Sequence, residues 1–190
     1  MSKSNLNLYG RAVLFDLDNT LTDLYAHNLR PEAAAWLKAN KPQKVAVCTN
    51  QGGVGLRYWM EPRPSDGCEG FGDKRKWQRL PTAADVLARI TAVSEAMQNL
   101  TGGTVLFYVS YRYRTKDGRY CPVPPKAAKL NDPAWSEDWR KPGAGMLLAA
   151  CRDLLVLPRD CVFIGDDHNF SDSQAAAAAG MPFMYPHHVF

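Results

Sequence analysis

With 190 residues, 46% of them hydrophobic and 22% charged, the chain has the size of one domain with a substantial core, and its composition excludes disordered and collagen-like classes. The formal net charge of +4 permits an anionic substrate but is too small to argue for non-specific nucleic-acid binding. Five cysteines, an odd number with no C-x-x-C, argue against a disulfide framework and a zinc ribbon.

The opening residues, MSKSNLNLYG, have no apolar core of a leader, and no later stretch approaches the roughly 18 apolar residues of a membrane span. A cytoplasmic protein without a membrane partner is expected. The first apolar run, RAVLF at 11–15, reads as a strand buried on both faces. It ends in Asp16 and Asp18. PEAAAWLKAN follows with Pro31 in the first turn of a predicted helix. KVAVC at 44–48 is the second strand, followed by Thr49, Asn50, Gln51 and two glycines. Residues 54–81, rich in Gly, Pro and charge, read as a long loop or small insertion; the basic run DKRKWQR within it suits a solvated helix start.

Thr82 is a predicted N-cap for TAADVLARITAVSEAMQNL, which stops before Gly102 and Gly103. TVLFYV at 104–109 is the third strand. Residues 110–140 form a second insertion. Its start, with Arg112 and Arg114, alternates aromatic and basic residues, which suits stacking on bases and pairing with phosphates. A hairpin turning at Lys116-Asp117-Gly118 gives the same alternation. PGAGMLLAACRDLL reads as a helix preceded by Arg140 and Lys141, and CVFIG at 161–165 as a strand leading to Asp166 and Asp167. SDSQAAAAAG is a helix capped by Ser or Asp, with Asp172 in its first turn, and MPFMY at 181–185 is a last short strand. Strand alternating with helix predicts one α/β domain over 1–190, a parallel sheet with helices on both faces, and ligands at the C-terminal ends of the strands.

That edge would gather Asp16, Asp18, Thr49, Lys141 and Asp166. A hard cation such as Mg2+ takes carboxylate oxygens, and Asp16 and Asp166 are the obvious pair. The spare oxygen of Asp16 can attack phosphorus, giving an aspartyl-phosphate. Thr49 and Lys141 can hold the equatorial oxygens. Asp18 can protonate the leaving oxygen and then activate water. Asn50 and Gln51 either contact substrate or shape the turn, and Asp167 or Asp172 supplies a further carboxylate near Asp166.

These residues fall into four ordered motifs: DLDNT (16–20), VAVCTN (45–50), Lys141 in RKPGAGM, and VFIGDD (162–167). The set resembles the haloacid dehalogenase (HAD) superfamily of Mg2+-dependent phosphohydrolases. The resemblance implies a Rossmann-like fold, Asp16 as nucleophile, Asp18 as acid/base with its carbonyl on the metal, Thr49 and Lys141 as phosphate ligands, and Asp166 as a metal ligand; Asp167 is taken beside it as a further candidate metal ligand. The pairing of TNQGGVG with KPGAGML is similar to the cap-poor subgroup of histidinol-phosphate phosphatases, heptose bisphosphate phosphatases and polynucleotide 3′-phosphatases. It implies a minimal cap and a phosphorylated substrate. A nucleic-acid 3′-phosphate end or a nucleotide, met by Asn50, Gln51, Arg112 and Arg114, is the first expectation; a sugar phosphate or histidinol phosphate is the second. A phosphate-binding module without turnover is the non-enzymatic alternative. The heptose phosphatases' Cys/His zinc loop has no counterpart here beyond Cys121. His27 falls where a flap over the site is expected, and His187 and His188 read as a solvated tail.

Overall fold

The computed structural model describes residues 10–66 and 69–190. The start of the chain and Cys68 lie outside them. Five parallel strands form one sheet in the order β3-β2-β1-β4-β5: β1 Ala12–Phe15, β2 Val45–Asn50, β3 Val105–Ser110, β4 Cys161–Ile164 and β5 Phe183–Met184. β1 is central, with Leu14 in register with Ala46 on one side and Phe163 on the other. This is the expected parallel α/β architecture.

Period-two alternation assigns each strand residue to a face. Ala12 and Leu14 join Ala46, Cys48 and Phe163 beneath the helices α6 (Gly145–Asp153) and α7 (Ser171–Ala179). Val13 and Phe15 join Val45, Val47 and Ile164 beneath α1 (Pro31–Asn40) and α4 (Ala83–Thr101). Each buried Val, Leu or Phe contributes about 1.5–3 kcal/mol relative to exposure, so the short β1 is a main anchor of the fold.

Helix boundaries follow local chemistry. In α4, Thr82 and Asp85 form a reciprocal capping box, and Gly102 ends the helix in the left-handed region (φ 78°). α7 departs from expectation. Its cap position is Phe170, with no side-chain cap, and the Ser171 hydroxyl donates to the His168 carbonyl instead. Residues 54–81 are also more ordered than expected, with α2 at Gly52–Met60 and the short α3 at Lys74–Trp77. Tertiary packing overrides the weak helix propensity of the glycines: a Cβ on Gly55 would come within 2.9 Å of Cys121 Sγ and Tyr113 N, so only glycine lets α2 approach the 110–140 segment so closely.

That segment begins with the expected hairpin, bridged at Arg114 and Tyr120, and continues through the short α5 (Pro125–Lys129). It covers a third apolar cluster of Val54, Val86, Ile90, Cys121, Ala127 and Trp135. Among the described residues, no helix is long and apolar enough to cross a membrane.

Candidate active site

Parallel strands bring Asp16 (after β1), Thr49 and Asn50 (end of β2) and Asp166 (after β4) to one edge, where they line a cavity of about 450 Å3 together with Asp18, Gln51, Lys141 and Asp172. Lys141 comes from the loop before α6. Asn50 fixes it there by pairing with its backbone in both directions: the Asn50 amide donates to the Lys141 carbonyl at 2.9 Å, and the Lys141 N–H donates to Asn50 Oδ1 at 3.0 Å. Asn50 therefore shapes the site through the backbone of Lys141.

The Lys141 ammonium lies between two carboxylates, 2.6 Å from Asp16 Oδ1 and 2.7 Å from Asp172 Oδ1. All three residues are buried, at 3%, 7% and 1% exposure respectively. Burial pushes the Asp16 carboxyl up to about 7, and Asp172 adds to the rise while Lys141 opposes it. Burial also works against the Lys141 charge, but Asp16 and Asp172 together more than offset it and hold the ammonium above its usual value.

Asp16, Asp166 and Asp172 can each offer one oxygen within 4.8 Å of the others. An all-carboxylate set of this kind fits a hard divalent cation such as Mg2+. Asp166 is partly buried and is steadied by Asn19 Nδ2 at 3.2 Å and by the His168 N–H at 3.3 Å. Gly165 makes room for the arrangement, because a Cβ there would sit 2.8 Å from Asp172 Cγ.

Asp167, expected beside Asp166 as a metal ligand, is carried elsewhere. Asp167, Asn169 and Phe170 all take left-handed conformations (φ 60°, 55° and 58°). The chain turns so that the Asp167 carboxylate accepts from the Ser173 N–H at 2.8 Å and the Tyr185 hydroxyl at 3.2 Å. Asp172, from the first turn of α7, takes the position near Asp16 and Asp166. One short sequence window holds both aspartates, and only the backbone turn separates them.

Asp18 is gripped at both oxygens. Its Oδ1 accepts from Arg89 at 2.6 Å and from the Tyr25 N–H at 3.1 Å, and its Oδ2 accepts from Gln51 Nε2 at 2.8 Å. The same Gln51 nitrogen lies 3.0 Å from Thr49 Oγ1. Arg89 has no counterpart in the sequence-level site. Its signal was a lone charge in the apolar stripe Val86, Ile90, Val93 of α4.

The two hairpin arginines separate. Arg114 is exposed and lines the cavity. Arg112 is absent from that lining: it donates to the Cys121 carbonyl and pairs with Glu137 at 3.1 Å. Arg140, which donates to the Arg112 carbonyl at 2.9 Å, lines the cavity instead. His27 is exposed and outside the lining, whereas the exposed Leu24 and Tyr25 of the same loop form part of it. Cys121 is buried, its sulfur accepting from the Tyr113 N–H at 3.3 Å. His187 stacks on Tyr185, and His188 meets both rings edge-on.

Residues 138–185, which supply Lys141, Asp166 and Asp172, match a HAD-hydrolase-like family model. Over 91% of its length the chain superposes on 78% of D,D-heptose 1,7-bisphosphate phosphatase from B. bronchiseptica, a structure complexed with magnesium and phosphate, with a TM-score of 0.57 at 18% identity. The fold is that of the HAD-like hydrolases. A second structure, from Mesorhizobium loti and described as a HAD-like phosphatase, is matched over 90% of this chain and 69% of that one, with a TM-score of 0.51 at 22% identity. Among curated proteins, a phosphoglycolate phosphatase of Xylella fastidiosa (strain 9a5c) is 56% identical over 45 residues, which is 24% of this chain and 19% of that protein. The chain thus spans about a fifth of the length of the curated relatives it matches.

Proposed function

We propose that this protein is a Mg2+-dependent phosphomonoesterase working through an aspartyl-phosphate on Asp16. The observation that carries the reading is the buried Lys141 ammonium between Asp16 and Asp172, with Asp166 beside them in one cavity. Asp16, Asp166 and Asp172 would hold the cation, which when bound neutralises phosphate charge and keeps Asp16 ionised.

The chain's own groups divide the remaining work. An oxygen of Asp16 bonds to phosphorus as the ester P–O bond breaks. Asp18 gives the leaving oxygen a proton, then takes one from the water that cleaves the aspartyl-phosphate, so the cycle closes. The Lys141 ammonium donates to Asp16 and is ion-paired with Asp172, and a further N–H of it can meet a phosphate oxygen. The Thr49 hydroxyl supplies another donor.

The substrate we favour is a small phosphate ester. A cavity of about 450 Å3 suits one, and the named relatives act on phosphoglycolate and on D,D-heptose 1,7-bisphosphate. A nucleic-acid 3′-phosphate end is the second reading, supported by exposed Arg114 at the cavity and Tyr120 against it. The test is a Mg2+-dependent phosphatase screen of 4-nitrophenyl phosphate, phosphoglycolate, sugar phosphates, mononucleotides and a 3′-phosphorylated oligonucleotide, with Asp16→Asn as control. Turnover by wild type alone is expected, highest on a small ester. Phosphate binding without turnover would instead identify a binding module.

A further inference from the structure

We infer that Arg89 is a positioning residue for Asp18, setting which carboxylate oxygen meets the substrate; the inference rests on the phosphatase reading above. Arg89 reaches from α4, a helix that covers the sheet, into the loop after β1. Its Nη2 donates to Asp18 Oδ1 at 2.6 Å and to Thr22 Oγ1 at 2.7 Å, and its Nε donates to the Ala26 carbonyl at 2.7 Å. The residue is 4% exposed. Its Nη1 is buried with no hydrogen-bond partner.

A buried guanidinium is unfavourable unless paired, and an apolar side chain would continue the stripe of Val86, Ile90 and Val93. Packing alone therefore gives no reason for an arginine here. The geometry gives one. Arg89 and the Tyr25 N–H together hold Oδ1, which leaves Oδ2 as the oxygen for proton transfer at the cavity, where Gln51 now meets it. By gripping Thr22 and Ala26 as well, Arg89 fixes the loop that carries Asp18. The proton that Oδ2 gives to the leaving oxygen is replaced by one from water in the second half-reaction, and Arg89 stays paired with Oδ1 throughout.

The test compares kcat/KM on two esters, since this ratio covers the steps up to departure of the leaving group. The alkoxide of glycerol 2-phosphate needs a proton to leave; 4-nitrophenolate does not. Arg89→Gln is expected to lower kcat/KM for glycerol 2-phosphate by about 100-fold and for 4-nitrophenyl phosphate by less than about 5-fold. Arg89→Lys should recover part of the loss. In an Asp18→Asn background, Arg89→Gln should change the glycerol 2-phosphate rate by no more than about 2-fold, because the two residues act as one unit. Where Arg89→Gln does not fold, as judged by circular dichroism, Arg89→Lys carries the same two-ester comparison, with about a 10-fold selective loss expected. Equal losses on both esters, or a full further loss in the Asp18→Asn background, would overturn the positioning role while wild-type turnover stands. A wild type inactive on both esters would end the phosphatase reading and this role with it.

Discussion

Charge is buried in one part of this molecule and half-buried in a neighbouring one, with different consequences. At the C-terminal edge of the sheet, Lys141, Asp16 and Asp172 converge on one point that opens into a cavity. In the 110–140 segment, Arg112 turns toward the Cys121 carbonyl and Glu137, and Arg140 donates to the Arg112 carbonyl. The first arrangement keeps like charges close together, which costs stability unless a cation or substrate joins them. The second satisfies backbone acceptors and holds a loop over an aromatic cluster in which Trp135 meets Tyr58 and Tyr111. In this pair of regions, the basic residue that faces two buried acids opens on the cavity, and the one that faces a carbonyl and an exposed acid holds a loop.

The sharpest way to break this contrast is Asp16→Asn, expected to lower Mg2+-dependent turnover by at least about 10⁴-fold with the fold intact by circular dichroism. Lys141→Met comes next. Its turnover should fall by about 10²- to 10³-fold. It also strands two buried carboxylates, which should cost roughly 3–5 kcal/mol in urea unfolding without metal, a deficit that Mg2+ reduces. If Lys141 were only architectural, the stability loss would appear without the rate loss.

The pH dependence tests the same cluster. Asp16 holds its proton up to about 7 when folded, against 3.8 ordinarily. In metal-free protein, its contribution to stability is complete below the ordinary value and is lost as pH rises toward 7. Mg2+ competes with that proton, so the rise in Tm on adding Mg2+ should be larger at pH 8 than at pH 5.5. An equal rise at both values would count against Asp16 as a ligand. The smallest effects separate the two hairpin arginines. Arg112→Ala should cost about 1–3 kcal/mol of stability and leave 4-nitrophenyl phosphate turnover per folded molecule unchanged. Arg114→Ala should shift stability by less than about 0.5 kcal/mol but raise KM for the preferred anionic ester a few-fold.

The sheet was legible because its strands are nearly pure apolar runs, and all five lie within two or three residues of where the sequence suggested. PEAAAWLKAN coincides with α1, and the Thr82 cap with the start of α4. α2 was hidden because two glycines open it, and its stability comes from contacts with a segment more than fifty residues away. Asp16, Asp18, Thr49 and Asp166 could be gathered from sequence because parallel topology sends strand ends to one edge, and Lys141 because it stands just before the helix α6. Asp172 rather than Asp167 lies near Asp16 and Asp166 because three residues take left-handed conformations, a backbone choice that composition does not reveal. Arg89 escaped because its partner Asp18 lies 71 positions earlier, and helix periodicity marks it only as an exception to an apolar face.

The pairing of Asn50 with the backbone of Lys141 joins the first third of the polypeptide to the last. Asp16 and the Lys141 amine that donates to it are 125 positions apart. During synthesis, a ribosome-bound chain would therefore present Asp16 long before its counter-charge emerges. On the phosphatase reading proposed above, the site would be complete only once the C-terminal third of the chain docks.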